Sequence, residues 1–289
     1  MVERMNREHS IEIQLACEAC SVSRGGYYDW LKRPVSERAL ENDRLIARIR
    51  SIHEESDNTY GSPRVTAKLR SEGLEIGEVR IARLMRKEEI VSESVKKFKI
   101  TTTDSNHDLP IADRIFETEH AKCVMAPNQV WTGDLTYVWT EEGWLFLAVF
   151  LDIFSRKIVG HAADDNMRAE LVLEALAMAL GRQDVKRDEL IAHTDRGSQY
   201  AGEKFRSKLN LVGIIASMSR RGNCYDNAHV ESFFHSLKTE LVYRRKFKTR
   251  EEAKRAIFEW IETWYNRQRL HSSLDYNTPE QYEKSALAS

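Results

Sequence analysis

Apolar residues before position 94 recur every three or four places, whereas after position 129 they come in short runs rich in β-branched and aromatic side chains. The first pattern reads as helices and the second as strands, because one helix face repeats near 3.6 residues and one strand face repeats every two. Residues 8–34 predict two short helices around Ser21-Val-Ser-Arg-Gly-Gly26, with Ile13, Leu15, Ala16 and Ala19 before the turn and Tyr27, Tyr28, Trp30 and Leu31 after it. Such a unit is either a DNA-reading helix-turn-helix or plain packing. A helix over 40–55 carries Leu45, Ile46, Ile49 and Ile52, and Pro63 suits the first position of the next helix. Residues 79–87 interleave four cations with Val79, Ile81, Leu84 and Met85. That basic amphipathic helix is either a solvated face or a face for a DNA backbone.

Periodicity fades over 94–127, where a basic start and a polar middle read as a linker. Strands are then predicted over 130–139, 144–152 and 157–163, as an antiparallel meander broken at Glu141-Glu-Gly143 and Ile153-Phe-Ser-Arg156. A helix (168–180), a strand (190–194), a helix (202–209), a strand (214–217) and helices over 226–243 and 249–266 follow. This order predicts an α/β fold, a mixed sheet flanked by helices, behind a small all-α region. The expected division is 1–38 helix-turn-helix-like, 39–93 helical and DNA-binding-like, 94–127 linker, 128–246 core and 247–289 helical extension.

Composition narrows the class. In 289 residues, 42% apolar, 44 Lys and Arg nearly balance 45 Asp and Glu, so any nucleic-acid surface must come from local sorting of charge. No run reaches the roughly 18–20 apolar residues of a membrane span, and the first residues lack a secretory core, so a cytoplasmic protein without a membrane partner is expected. Four cysteines do not make a disulfide framework, and Cys17 and Cys20 read as small apolar residues on a helix rather than zinc ligands.

Three acids stand where a carboxylate is hard to explain as ordinary surface. Asp134 interrupts a β-prone run in Trp131-Thr-Gly-Asp-Leu-Thr-Tyr137, Asp195 closes another in Ala192-His-Thr-Asp-Arg-Gly-Ser-Gln-Tyr200, and Glu231 opens a long helix after Asn223-Cys-Tyr-Asp-Asn-Ala-His-Val. Alternation puts Asp134 on one face with Thr132, Thr136 and Val138. If the fold brings the three together, they form an oxygen-ligand cage for hard divalent cations such as Mg²⁺, which two at a time promote in-line displacement at phosphorus.

Their order and spacing, Lys238 seven residues after Glu231, and the ending Trp264-Tyr-Asn-Arg-Gln-Arg-Leu-His-Ser-Ser-Leu-Asp-Tyr-Asn-Thr-Pro-Glu280 resemble the DDE transposases of the insertion-sequence-three family, second reading-frame product. Val22-Ser-Arg-Gly-Gly-Tyr-Tyr28 and Tyr60-Gly-Ser-Pro-Arg64 extend the resemblance over nearly the whole chain. It implies an RNase H-like integrase catalytic core, dependence on Mg²⁺ or Mn²⁺ with two ions, and 3′-end nicking and strand transfer by a copy-out, paste-in route. Asp134, Asp195 and Glu231 carry over as metal ligands and Lys238 as a phosphate contact near the cleaved end. The implied partners are transposon terminal repeats and target DNA, a second copy of the chain, and an upstream reading-frame product, since no sustained leucine heptads are present here.

Around this set, Asp152 reads as a turn cap before an auxiliary acid, Asp226 or Asn227 as the cap of the Glu231 helix, and His193 as a packed histidine before a metal neighbour. Arg220 and Arg221 before that helix, and Arg244 and Arg245 in the cation-rich stretch from Lys238 to Arg255, are expected DNA-backbone contacts. Phe258, Trp260, Trp264 and Tyr265 read as packing surface rather than base-stacking platforms.

Overall fold

The computed structural model describes residues 1–93, 110–113, 115, 123–219 and 227–288. Arg220, Arg221, Asp226 and most of the expected linker therefore lie outside the described residues.

Three short helices open the chain: α1 (Val2–His9), α2 (Ile13–Ala19) and α3 (Arg24–Lys32). Ser23 caps α3 by accepting the Gly26 N–H at 3.0 Å. Their core is small: Val2, Ala16 and Cys17, joined by Met5, Cys20 and Tyr27. Cys17 and Cys20 are free thiols, and Cys20 Sγ lies 3.9 Å from Met5 Sδ, so the pair packs as small apolar side chains. Trp30 and Leu31, expected to pack, are 55% and 50% exposed, and α3 buries no residue. Three helices this short have too little surface to cover both flanks of an aromatic helix.

A second helical unit consists of α4 (Glu37–Glu55), α5 (Ser62–Ser71) and α6 (Glu78–Lys87) around Leu45, Ile49, Ile52, Val65, Leu69 and Ile81. Pro63 sits in the first turn of α5, where its missing N–H costs nothing. Val79 was expected on the apolar face of α6 but is exposed, because two positions before Ile81 it points some 200° round the helix. Arg80 ties α6 to Glu41 of α4, while Arg83, Arg86 and Lys87 face solvent.

The larger unit is built on a five-stranded sheet of order β3-β2-β1-β4-β5. Strands β1 (Val130–Thr140), β2 (Gly143–Asp152) and β3 (Ile158–Asp164) form the expected antiparallel meander, and β4 (Ile191–Thr194) and β5 (Ile215–Met218) add in parallel on the other side of β1. One face is covered by α7 (Ala169–Arg182) and, beyond the short α8 (Ser198–Ala201), by α9 (Glu203–Val212). Gly160 on β3 lets α7 approach closely: a Cβ there would lie 2.1 Å from the Ala175 carbonyl. The other face takes Val230, Phe233 and Leu237 of α10 (Ala228–Glu240) and Ala253 and Ile257 of α11 (Arg250–Glu259). A π-helical turn (Trp260–Tyr265) extends α11, and α12 (Pro279–Leu287) ends the described chain with a Thr278/Gln281 capping box. This mixed sheet with helices on both faces, behind all-α units, is the RNase H-like architecture expected.

The two units dock. Tyr60 packs on Trp264 and its hydroxyl accepts the Leu270 N–H at 2.8 Å, and Arg64 Nε donates to the Leu270 carbonyl at 3.0 Å. Trp260 and Tyr265 are buried and Trp264 packs against them, as expected, whereas Phe258 is 49% exposed with its edge to His161. No described helix is long and apolar enough to cross a membrane.

Candidate active site

Strand register brings the first two acids together. In the parallel pairing of β1 and β4, Gly133 stands opposite Thr194, the last residue of β4, so Asp134 follows on β1 and Asp195 is the first residue past the end of β4. Neighbouring strands lie about 4.8 Å apart, which brings the two carboxylates near each other. On its other side Gly133 makes room for the Phe150 ring of β2, since a Cβ there would come 2.7 Å from that ring. Asp134 Oδ1 accepts its neighbour Leu135's N–H at 2.7 Å. Asp195 Oδ1 accepts the Gly197 N–H at 2.9 Å, an Asx turn that aims the carboxylate back over the strand end.

Helix α10 brings the third. Asn227 stands at its N-cap position, but its side chain does not cap; it accepts the Thr132 hydroxyl of β1 at 3.0 Å, in a buried contact two residues from Asp134. The start of α10 is thus tied to the strand that carries Asp134, and Glu231 lies in its first turn. Glu231 is exposed, and its negative charge reaches Asp134. Among the described residues no three His, Cys, Asp or Glu side chains close tightly enough to hold a metal ion. The charges of both Asp195 and Glu231 nevertheless reach Asp134.

Electrostatics follow the geometry. Burial, then the Asp195 charge and to a lesser extent Glu231, push the Asp134 carboxyl well above the usual carboxylate range, against the Leu135 hydrogen bond and Lys238. Lys238 is lowered by burial while Asp134 works to raise it, and its Nζ lies 5.0 Å over the Tyr137 ring. Tyr200 is fully buried beneath the pair, with no hydrogen-bond partner for its hydroxyl; burial and both aspartates raise it far above its ordinary value. Sequence reasoning passed over Tyr200, although it closes the Asp195 segment.

The neighbouring residues sort plainly. Asp152 is a turn residue, as expected: Oδ1 accepts the Ser155 N–H and hydroxyl, both at 2.7 Å, and Oδ2 the Asn128 N–H at 2.8 Å. His193 is a packed histidine whose Nδ1 lies 3.0 Å from Ser217 Oγ on β5. Arg244 is committed to the helical unit, bonding the Asp57 carbonyl and carboxylate and pairing with Glu93 at 2.8 Å. Arg245 is exposed beside Lys238 along a groove of about 590 Å³ that Trp139 and Trp144 also line.

Residues 125–224 and 231–287 each match an integrase core domain, and residues 41–98 match an HTH-like domain. The chain is 42% identical over 268 residues to the insertion element IS600 uncharacterized 31 kDa protein of Shigella sonnei, covering 93% of this chain and 97% of that one. It is 37% identical over 289 residues to transposase InsF for insertion sequence IS3A of Escherichia coli strain K12, covering 99% and 98%. Among solved structures it is similar to a simian T-cell lymphotropic virus intasome bound to PP2A regulatory subunit B56 gamma, with TM-score 0.47, 15% identity and coverage of 81% and 74%. It is also similar to the HTLV-2 integrase catalytic core domain in complex with magnesium, with TM-score 0.43, 16% identity and coverage of 55% and 98%. An HTH-like unit ahead of an integrase core defines the class. The chain belongs to the insertion-sequence-three family of DDE transposases.

Proposed function

We propose that this chain nicks DNA at the 3′ ends of an insertion sequence and joins those ends to another strand, with Asp134, Asp195 and Glu231 holding two Mg²⁺ or Mn²⁺ ions. The observation that carries the reading is that Asp134 on β1 and Asp195, one residue past its parallel neighbour β4, lie close enough for the Asp195 charge to act on Asp134, with the Asn227–Thr132 hydrogen bond bringing Glu231's helix to β1. An oxygen-only donor set of crowded like charges, strong enough to raise Asp134, suits hard divalent cations. Ions held there would supply charge stabilisation for both the attacking and the leaving oxygen.

The chain's own residues set the geometry. Asp134 sits on the sheet, and Asp195 is the first residue past β4, held there by the Gly197 N–H. Lys238, one helical face along from Glu231, offers a cation to a phosphate beside the reacting bond, and exposed Arg245 continues that track. Arg244 serves instead to anchor the helical unit, whose exposed Arg83, Arg86 and Lys87 offer a second backbone-binding face. Joining requires two DNA ends held at once, which calls for at least two copies of the chain; an upstream reading-frame product would supply terminal-repeat recognition.

Labelled terminal-repeat DNA incubated with the protein, with and without its upstream-frame fusion, tests this reading in Mn²⁺ or Mg²⁺. Joined product that disappears in Asp195→Asn supports a transposase. Metal-dependent nicking without joining would reduce the activity to that of a nuclease.

A further inference from the structure

A second cavity of about 590 Å³ lies on the other flank of α10, between that helix, the first residues after the α4–α5 turn and the C-terminal segment. Its walls carry three guanidinium groups: Arg64 from α5, Arg156 from the β2–β3 turn and Arg269 from the chain after the π-helical turn; His271 beside them is held at about 2 by burial and these arginines and is neutral. Two acids also line it, and both are engaged: Glu240 by Arg269 at 2.6 Å and Glu93 by Arg244 at 2.8 Å. Among the described residues no carboxylate forms an ion pair with Arg64 or Arg156.

Two nitrogens in this wall have no hydrogen-bond partner although no solvent reaches them: Arg156 Nη1 and His229 Nε2. A buried guanidinium N–H left unsatisfied costs about 1–3 kcal/mol or more, so Arg156 Nη1 calls for an acceptor; His229, lowered to about 4 by burial and the Arg156 charge, is a neutral ring whose Nε2 is likewise unpaired. Arg156 is fixed in the β2–β3 turn at φ 62°, its N–H donating to the Asp152 carbonyl at 2.8 Å. Burial lowers both guanidinium groups from their ordinary value, joined for Arg64 by the Arg269 charge and opposed by Glu240, and for Arg156 opposed by Asp152. Ser232, Ser272 and Ser273 add hydroxyls at the rim.

We propose that this cavity binds a phosphate group, through the guanidinium groups of Arg64 and Arg156 and the ring N–H of His229. A tetrahedral oxyanion accepts from several directions at once, which matches donors that converge from three separate elements better than a planar carboxylate would. The phosphate belongs either to a DNA backbone running past α10 or to a free phosphate compound, and the volume admits a sugar-phosphate unit as readily as the ion alone. The site is separate from the acids of the joining reaction, since α10 presents Glu231 and Lys238 on a different flank from Ser232 and Ser236.

Calorimetric titration of the full-length protein with inorganic phosphate, in chloride buffer without divalent cations, tests it. Wild type is expected to bind, and Arg156→Gln to bind about tenfold more weakly or not at all. Ser232→Glu, at an exposed rim position, keeps every buried contact and places a carboxylate at the mouth; it is expected to weaken binding similarly even if Arg156→Gln folds poorly. A terminal-repeat duplex that displaces phosphate would assign the site to the DNA backbone, and one that leaves phosphate bound would assign it to a free phosphate compound. No phosphate binding by wild type, or undiminished binding by both variants, would overturn the proposal. Because no joining is measured, this result stands apart from the success or failure of the transposase assay.

Discussion

Replacing Asp134 by Asn should make the metal-free protein more stable while removing its response to divalent cations. Asp134 and Asp195 stand one strand spacing apart, and two unit charges about 5 Å apart at an effective dielectric near 20 repel by about 3 kcal/mol. Partial exposure and the lost carboxylate hydrogen bond to Leu135 discount this to roughly 1–2 kcal/mol net, or about 2–4 °C in a chain of this size. The sign with pH follows from the direction of the shift. A carboxyl raised in the folded state disfavours folding once the unfolded group ionises, so wild-type stability falls as pH rises from about 4 through the raised value. The advantage of Asp134→Asn should therefore vanish below about pH 4 and grow as pH rises from there through the raised value. Thermal unfolding with chelator, and again with Mg²⁺ or Mn²⁺, measures both parts. A ligand at about a hundred times its dissociation constant adds about 2.7 kcal/mol, enough for wild type to overtake the variant. If Asp134→Asn melts at or below wild type without metal at pH 7, or if metal raises both equally, the acid pair is not a cation site.

Other perturbations probe the scaffold. Asn227→Ala removes the hydrogen bond from Thr132 and should cost about 1 kcal/mol by denaturant titration, while strand joining falls more steeply because Glu231's helix loses its tie to β1; equal joining by folded variant and wild type would refute that positioning role. Gly160→Ala puts a methyl 2.1 Å from the Ala175 carbonyl and should destabilise by about 1–3 kcal/mol or more, read as a lower urea midpoint with unchanged slope. Glu262, although burial works against it, is held at about 2 by hydrogen bonds from His161 and Arg182. A depressed carboxyl stabilises above its unfolded value and loses that contribution as pH falls from about 4.5 to about 2; with screening at this half-buried site, wild type should lose roughly 1–2 kcal/mol more across that window than Glu262→Gln. Parallel acid-unfolding curves for the two proteins would count against it.

What the sequence made legible was the sheet and the order of the acids. The strands are bounded by turn residues such as Gly143, which sits at φ 109°, and their ends fall within a residue or two of expectation. Short helices were harder. The four residues of α8 hold too few apolar positions for a period, and α12 announced itself through Thr278-Pro-Glu-Gln281, whose capping box went unused. Asp226 or Asn227 was expected to cap α10; the Asn227 side chain instead reaches β1, a partner 95 residues away that no local pattern encodes. Arg244 shows the same limit: its charge is visible in sequence, but its pairing with Asp57, 187 residues distant, comes from docking of the helical unit. Exposure of Trp30 and Leu31 likewise reflects how little neighbouring surface the first helices supply.

The central claim is that Asp134, Asp195 and Glu231 act as one divalent-cation site. Counting bound Mn²⁺ by electron paramagnetic resonance, on protein mixed with a terminal-repeat duplex, tests this most directly. Two ions per chain are predicted for wild type, with at least one lost in each of Asp134→Asn, Asp195→Asn and Glu231→Gln. A Glu231→Gln protein that binds as many ions as wild type would contradict the account.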